Sequence, residues 1–339
     1  MQRLLILAHG VEQQLTGVER IALSLAIQAT ESGAQVTVTA DEAATWCGSL
    51  DDSVSIIRRP RPPMALARGA SFERGGWDAM YSIGPTFPPR SEGPVRRAYT
   101  VHDWTVWRSR GIPVGARLAW CLGMLSAFGR TSVLHSLTTY IANSAPVGLR
   151  PFLGKPWIVD DTVVSAGQPQ GLSQVRLPGG PFLLAVGSNT PRKRLALAAA
   201  SASHLPPGWH IVLAGRGTET LGAPRVSGIG RVRDSELAWL YGSCAALLMI
   251  SSEEGYGLPL AEAAMFGKKA FVSAEVLSLH QQTLRLAGRL FEVSTESPER
   301  LARDIVRMLP ALSNESSAYV TQSGGLLEYL LSRPRATGQ

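Results

Sequence analysis

LLILAHGVEQQLTGVERIALSLAIQATESGAQVTVT, residues 4–39, decides the fold class. Leu4 to Ala8 is a continuous apolar run, the pattern of a strand buried on both faces. A polar loop, His9 to Thr16, leads to Gly17. From Val18 to Ser32 the apolar residues Ile21, Leu23, Leu25 and Ala26 fall at helical spacing, and Gly33 stops the helix. Gln35 to Thr39 reads as the next strand. Strand, helix and strand in this order make a βαβ unit, the mark of a parallel sheet covered by helices. The class is therefore α/β.

Working outward, residues 58–97 are rich in Pro, Gly and Arg and predict loops with one short strand near Ala79 to Ile83. Ala98 to Val101 predicts a strand ending in His102-Asp103. Leu118 to Leu137 reads as helical, and Tyr140 to Ala142 as a short strand before Asn143-Ser144. A Pro/Gly-rich linker, Gly167 to Gly180, precedes a second alternating series. Its strands are Phe182–Val186, His210–Ala214, Ala245–Ile250 and Lys269–Ser273; its helices are Arg192–Ala202, Ser235–Cys244 and Pro259–Phe266. At roughly 150 residues per domain, 339 residues make about two domains. The expected architecture is two Rossmann-like, doubly wound domains, 1–165 and 166–312, facing across a cleft. The active site is expected in that cleft, at the strand C-termini. Residues 313–339 predict a helical segment that packs back toward the first domain.

Composition narrows the class further. Hydrophobic residues make up 45% and charged residues 17%, which excludes global disorder. The longest uncharged stretch at a predicted helix, Leu118 to Gly129, is twelve residues, against about 20 for a membrane span. The opening MQRLLILAHG lacks a small-residue cleavage site and does not read as a secretory leader. Cys47, Cys121 and Cys244 are far apart and odd in number, so they form neither a disulfide framework nor a CxxC metal site, and a cytoplasmic setting is expected. The net charge of +7 points to an anionic partner. Residues 58–130 hold twelve Arg against four acids, a local +8, so the rest of the chain is near −1. The same stretch holds Trp77, Trp104, Trp107 and Trp120. This mixture suits an anionic membrane surface or a phosphate-bearing acceptor; the alternative is a solvated Arg surface over core Trp residues.

The most informative chemical segment is SSEEGYGLPLAEAAMFG, residues 251–267. Glu254 and Glu262 lie eight residues apart, between a buried strand and a helix. Gly255 and Gly257 allow close backbone approach to a ligand. Pro259 suits a first helical turn, whose free N–H groups attract an anion. Glu254, at the strand end, is placed to meet a sugar, and Glu262 to accept two hydrogen bonds from a diol such as a ribose. Alternatively Glu254 is an N-cap and Glu262 a solvated helix residue.

This segment resembles the signature of family 4 of the retaining nucleotide-sugar glycosyltransferases, proteins of the GT-B fold. The signature is an acid, GFGLP or a close variant, and a second acid eight residues after the first. Here it stands as Glu254, Gly255, Tyr256, Gly257, Leu258, Pro259 and Glu262. The resemblance is strong over residues 180–310 and looser over 1–150. Pro191-Arg192-Lys193, with Thr190 as the expected N-cap of a helix, is similar to a run in some members that look like mannosyltransferases, and implies a diphosphate site. Only four lysines occur in the chain, and Lys193 is one of them. Ser188 stands where many members have Arg. Thr16-Gly17-Val18-Glu19-Arg20 resembles the family's GGxER entry, which implies that the Gly17 backbone lies against the donor. His102-Asp103 resembles the family's HD, which implies that His102 meets the transferred sugar, with Asp103 and Trp104 toward the acceptor. Gly215-Arg216-Gly217 resembles a turn near the nucleotide, and backbone from Ile229 to Val232 is expected at the base. The family's PNGVD is degraded to Asp160-Asp161-Thr162-Val163.

The resemblance implies catalytic roles for His102, Glu254, Lys193 and Arg192, and donor contacts from Gly17, Ser188, Gly215, Val232, Gly255, Tyr256, Gly257, Leu258 and Glu262. It implies a retaining transfer from a nucleotide-diphosphate sugar, mannose being the favoured sugar; the Arg/Trp-rich stretch 58–130 points to a glycan or lipid-linked acceptor in lipopolysaccharide or surface-polysaccharide synthesis. Peripheral contact with the inner face of a membrane is expected. No Asp-x-Asp follows a strand, so the metal-dependent GT-A class is disfavoured, and neither metal nor cofactor is expected. Neither a Walker-A loop nor a complete GxGxxG is present, and no nucleic-acid partner is expected. Two other readings stand beside this one: a basic protein that binds anionic lipid or nucleic acid on an inactive GT-B scaffold, and a GT-B epimerase or phosphorylase.

Overall fold

A computed structural model of the chain describes residues 1–8, 17–59, 76–84, 95–102, 104, 114–115, 122, 124–125, 128–146, 149, 153–159, 169–172, 177, 179–281, 289–313 and 325–332. The chain forms two compact units: Met1–Val164 with Thr321–Gln339, and Ser165–Val320.

The first unit carries a seven-stranded sheet in the order β3-β2-β1-β4-β5-β6-β7, with every neighbouring pair parallel. Its strands are β1 (Arg3–Ala8), β2 (Gln35–Asp41), β3 (Ser55–Arg59), β4 (Ala79–Ser82), β5 (Arg96–Thr100), β6 (Val133–Ser136) and β7 (Trp157–Val159). Helix α1 (Gly17–Glu31) connects β1 to β2 and buries Ile21, Leu25 and Ala26. Each such Ile or Leu contributes up to about 1.5–3 kcal/mol. Two readings of the sequence are corrected here. The expected helix Leu118–Leu137 holds at the described residues 122, 124–125 and 128–130, but its end gives way to β6, whose His135 and Ser136 are fully buried. His135 finds partners on neighbouring strands and Ser136 a local one. His135 Nδ1 lies 3.2 Å from the Tyr81 hydroxyl and 2.9 Å from Thr100 Oγ1, and Ser136 Oγ donates to the Thr138 carbonyl at 2.9 Å. The expected strand Tyr140–Ala142 lies instead within helix α2 (Thr139–Asn143), because Thr138 Oγ1 accepts from Ile141 N and starts a helix. The C-terminal α8 (Gly325–Leu331) belongs to this unit, with Leu326 and Leu330 buried. Arg96 donates to the Tyr329 carbonyl at 2.9 Å and sits 5.6 Å from its ring.

The second unit carries a six-stranded sheet, order β10-β9-β8-β11-β12-β13, again parallel throughout. The strands are β8 (Phe182–Val186), β9 (His210–Ala214), β10 (Val226–Gly228), β11 (Ala246–Met249), β12 (Ala270–Val272) and β13 (Leu290–Glu292). One face is covered by α4 (Asp234–Ser243) and α5 (Leu258–Met265), which bury Leu240, Tyr241, Leu260 and Ala263. The other is covered by α3 (Leu195–Ser201) and α7 (Pro298–Met308), which bury Leu195, Ala198, Leu301 and Ile305. Helix α6 (Ala274–Gln281) follows β12. Burial on both faces is why β8, β9 and β11 read as unbroken apolar runs.

Topology fixes where a ligand site belongs. From β8 the chain winds outward through β9 and β10, then returns to β11 on the opposite side of β8. The strand order therefore reverses between β8 and β11, and a crevice opens at their C-terminal ends. The first sheet reverses in the same way between β1 and β4.

Candidate active site in the C-terminal unit

The floor of the crevice is backbone. Gly187 follows β8 and donates to the Ala214 carbonyl at 2.9 Å; Gly215 follows β9 and donates to the Gly230 carbonyl at 2.7 Å. A Cβ on Gly215 would lie 2.1 Å from the Gly187 carbonyl oxygen, and its φ is 140°. The ends of β8 and β9 thus touch backbone to backbone, an approach that only glycine allows. Gly215→Ala is expected to cost about 1–3 kcal/mol from the dihedral alone, before the clash is relieved, and to lower the urea midpoint; an unchanged midpoint would show that this contact does not exist in solution.

Above the floor lies the turn Pro191–Lys193. The expected continuous helix Arg192–Ala202 is corrected: residues 191–193 form a 3₁₀ turn, Arg194 adopts φ 50° and ψ 30°, and α3 starts only at Leu195. Thr190 precedes the turn without a side-chain cap. The two cations are therefore carried by a tight turn rather than by the start of an α-helix. The turn is fastened to the chain beyond β11. Ser252 N donates to the Arg192 carbonyl at 2.9 Å, and the Arg192 guanidinium donates to the Glu253 carbonyl at 2.5 Å.

Lys193 Nζ donates to Glu254 Oε1 at 2.5 Å, and Arg192 Nη1 lies 3.3 Å from the same oxygen. The Lys193 and Glu254 side chains are 12% and 8% exposed, Arg192 40%. Burial pushes the Lys193 ammonium below its ordinary range, while Glu254 opposes that fall. Burial pushes Glu254 up, but Lys193, a hydrogen bond with Ser251 and the Arg192 charge together hold it below the ordinary carboxylate value. An acid and two cations thus meet at the switch point of the sheet, brought there by the loops after β8 and β11. Lys193 is therefore largely withdrawn from solvent.

Gly257, with φ 77° and ψ 50°, is the N-cap of α5, so Glu254 is not. Gly255, Tyr256 and Leu258 are half-buried in and beside this turn. Glu262 is not solvated either: it is 3% exposed, and Tyr241 donates to its Oε2 at 2.7 Å. The Tyr241 ring stacks on Phe266 at 6.1 Å. The Ser188 carbonyl accepts from Thr190 N at 2.8 Å. Ile229 N extends the sheet ladder to the Leu213 carbonyl, and Val232 packs against the α4–α5 core.

In the first unit, Gly17 opens α1, and the loop before it lies outside the described residues. His102 Nε2 donates to the carbonyl of Ile83, just past β4, at 2.6 Å. Asp103 and Asp160 to Val163 lie outside the described residues. Trp104, expected toward the acceptor, is corrected: it is 3% exposed in the core of the unit and donates its indole N–H to the Ile141 carbonyl at 2.9 Å. Trp77 is likewise buried, with the Arg3 guanidinium 4.7 Å from its ring. The described Trp residues of the basic stretch are therefore core residues, and Trp107 and Trp120 lie outside the described residues. Among the described residues, no helix is long and apolar enough to cross a membrane.

Sequence reasoning missed Arg194, Tyr241 and the buried Tyr81–Thr100–His135 cluster. None carries a motif; each acquires its role from a partner at least 19 residues away.

No protein-family model and no curated protein sequence matches the chain. Solved structures do. The chain is similar to WaaG, a glycosyltransferase involved in lipopolysaccharide biosynthesis, with 16% identity over 92% of this chain and 90% of that one and a TM-score of 0.64. It is similar to the sucrose-phosphate synthase of Thermosynechococcus elongatus, with 15% identity, 92% and 91% coverage and a TM-score of 0.67. It is also similar to HepE of Anabaena in complex with UDP-glucose, with 15% identity, 91% and 93% coverage and a TM-score of 0.62. With its two parallel Rossmann-like units, the chain has the GT-B fold.

Proposed function

We propose that the protein is a retaining, metal-independent glycosyltransferase. It moves a hexose from a nucleotide-diphosphate sugar to a glycan or lipid-linked acceptor, in the synthesis of lipopolysaccharide or another surface polysaccharide. The observation that carries this reading is the meeting of Lys193, Arg192 and Glu254 at the β8/β11 switch point. The fold shared with WaaG and with HepE, whose structure holds UDP-glucose, supports the same class of partner.

In this reading the bond between the sugar and the diphosphate breaks, and charge grows on the departing oxygens. Lys193 and Arg192 are fixed cations that meet that charge, as a divalent ion does in other transferases. The sugar becomes oxocarbenium-like, and the acceptor hydroxyl attacks from the same face, forming the new glycosidic bond while its proton passes to the departing diphosphate oxygen. Glu254 positions the sugar, and Glu262, oriented by Tyr241, receives the ribose. His102, just past β5, is assigned to the transferred sugar on the resemblance of its motif. Gly17 and the glycine-rich strand ends approach the diphosphate through their backbone.

GDP-mannose is the first donor to test, because the Pro191-Arg192-Lys193 run resembles that of mannosyltransferase-like proteins. The basic stretch 58–130 supports an anionic acceptor and peripheral attachment at the cytoplasmic face of a membrane. The test is release of nucleoside diphosphate from a panel of GDP- and UDP-sugars in EDTA. Release from at least one is expected; no release from any would remove the reading. Equal binding to neutral and anionic vesicles would remove the membrane part alone.

A further inference from the structure

Three consecutive residues, 192 to 194, grip the chain beyond β11, and only the first two were expected to matter. Arg194 Nη1 donates to the carbonyl of Ile250 at 3.3 Å, and Nη2 donates to Glu275 Oε1 on α6 at 2.9 Å. Its backbone is left-handed, a conformation that among the described non-glycine residues only Arg225 shares. Such a conformation persists only where surrounding contacts impose it. For Arg225 those contacts are the carbonyls of Leu205, Pro206 and Trp209. For Arg194 they are the end of β11 and Glu275.

The stability of the pair does not account for it. The Arg194 and Glu275 side chains are 26% and 42% exposed, and ion pairs this accessible contribute little to folding. What the pair does is geometric. Arg194 terminates the 3₁₀ turn immediately after Lys193, so its orientation sets the direction from which Lys193 leaves the backbone. A second bridge runs beside it, from Ser273 Oγ to the Ser251 carbonyl at 2.7 Å. Residues 250 and 251, which lead into Glu254, are thereby held from both sides. The Glu275 carboxyl is kept below its usual range, first by its hydrogen bond from Arg194.

We propose that Arg194 is a positioning residue for the leaving-group site: bridging Ile250 and Glu275, it holds the turn that presents Lys193 to the end of β11. The inference rests on the transferase reading given above. It is distinct from a direct phosphate contact by Arg194, which would not need Glu275.

The test is a kinetic cycle on the full chain, with wild type, Lys193→Ala, Arg194→Gly, Glu275→Gln and the double variant Lys193→Ala/Arg194→Gly. Glycine adopts the left-handed conformation without strain, so Arg194→Gly is expected to fold, with a melting midpoint at or above that of wild type. Both Arg194→Gly and Glu275→Gln are expected to lower kcat about tenfold, a scale within reach of a small misplacement of a catalytic group. The donor KM should change less than kcat. The double variant should be no slower than Lys193→Ala alone, because groups that act through one another are not additive. Three results overturn the proposal: wild-type turnover in Arg194→Gly, wild-type turnover in Glu275→Gln, or a further tenfold loss in the double variant. Wild-type turnover in Lys193→Ala, or no transfer by the wild type, would overturn the transferase reading itself and this inference with it.

Discussion

Lys193→Ala is expected to lower turnover about 10²–10³-fold at saturating donor, the effect of removing one electrostatic stabiliser of a developing charge. The position of the side chain accounts for this. It is 12% exposed, 2.5 Å from Glu254, at the point where the strand order of the sheet reverses. A cation held there is already desolvated and oriented, so little reorganisation accompanies the growth of charge on a leaving diphosphate. Such an interaction strengthens between bound donor and transition state, and therefore appears in kcat rather than in KM alone. The expected loss corresponds to about 2.7–4 kcal/mol. Turnover of Lys193→Ala within a factor of about three of wild type, with donor saturation verified, would remove Lys193 from the chemistry.

The strands that build this site were legible because they are buried on both faces. Phe182–Val186 and His210–Ala214 match the elements found, since no polar residue interrupts them. The edges were not legible. Strand β3 is mostly exposed, and its SIIRR carries no buried face to betray it. Strand β6 was masked by a neighbouring helical pattern. What makes it a strand is His135, whose partners Tyr81 and Thr100 lie 54 and 35 residues away. At the site, the residue types were legible through the Glu254–Glu262 signature and the Pro191-Arg192-Lys193 run. The pairing of Lys193 with Glu254 was not, because it spans 61 residues and depends on β8 and β11 being neighbours. The break at Arg194 was equally hidden, since neither glycine nor proline marks it. Charge counting also has a physical limit. Arg58 donates to the carbonyls of Glu42 and Ala44, and Arg96 to that of Tyr329, so part of the basic excess is engaged within the first unit.

Glu254→Gln keeps the shape of the carboxylate and removes its charge, and its expected effects reach both activity and stability. The variant leaves Lys193 in a desolvated place with only Arg192 beside it, a like charge. Removing one member of a buried pair costs about 3–5 kcal/mol when both are fully enclosed; the residual exposure of 8% and 12% places this pair toward the lower end. The acid side of the stability profile gives the sign. Glu254 titrates below its ordinary 4.5 in the folded chain, so its contribution is complete above that value and is lost as pH falls through the folded one. In Glu254→Gln that part of the acid dependence should vanish. On the alkaline side, burial already lowers Lys193 from 10.5, and Glu254 is the main group opposing it. Without the carboxylate the ammonium should lose its proton at a lower pH, and the alkaline limb of kcat should move toward neutrality, in addition to a loss at pH 7 of about 10²-fold or more. Urea midpoints measured across pH and a kcat profile from pH 6 to 10 separate the two effects. An alkaline limb that stays in place would show that Lys193 does not depend on Glu254 for its charge, and that the two side chains act apart.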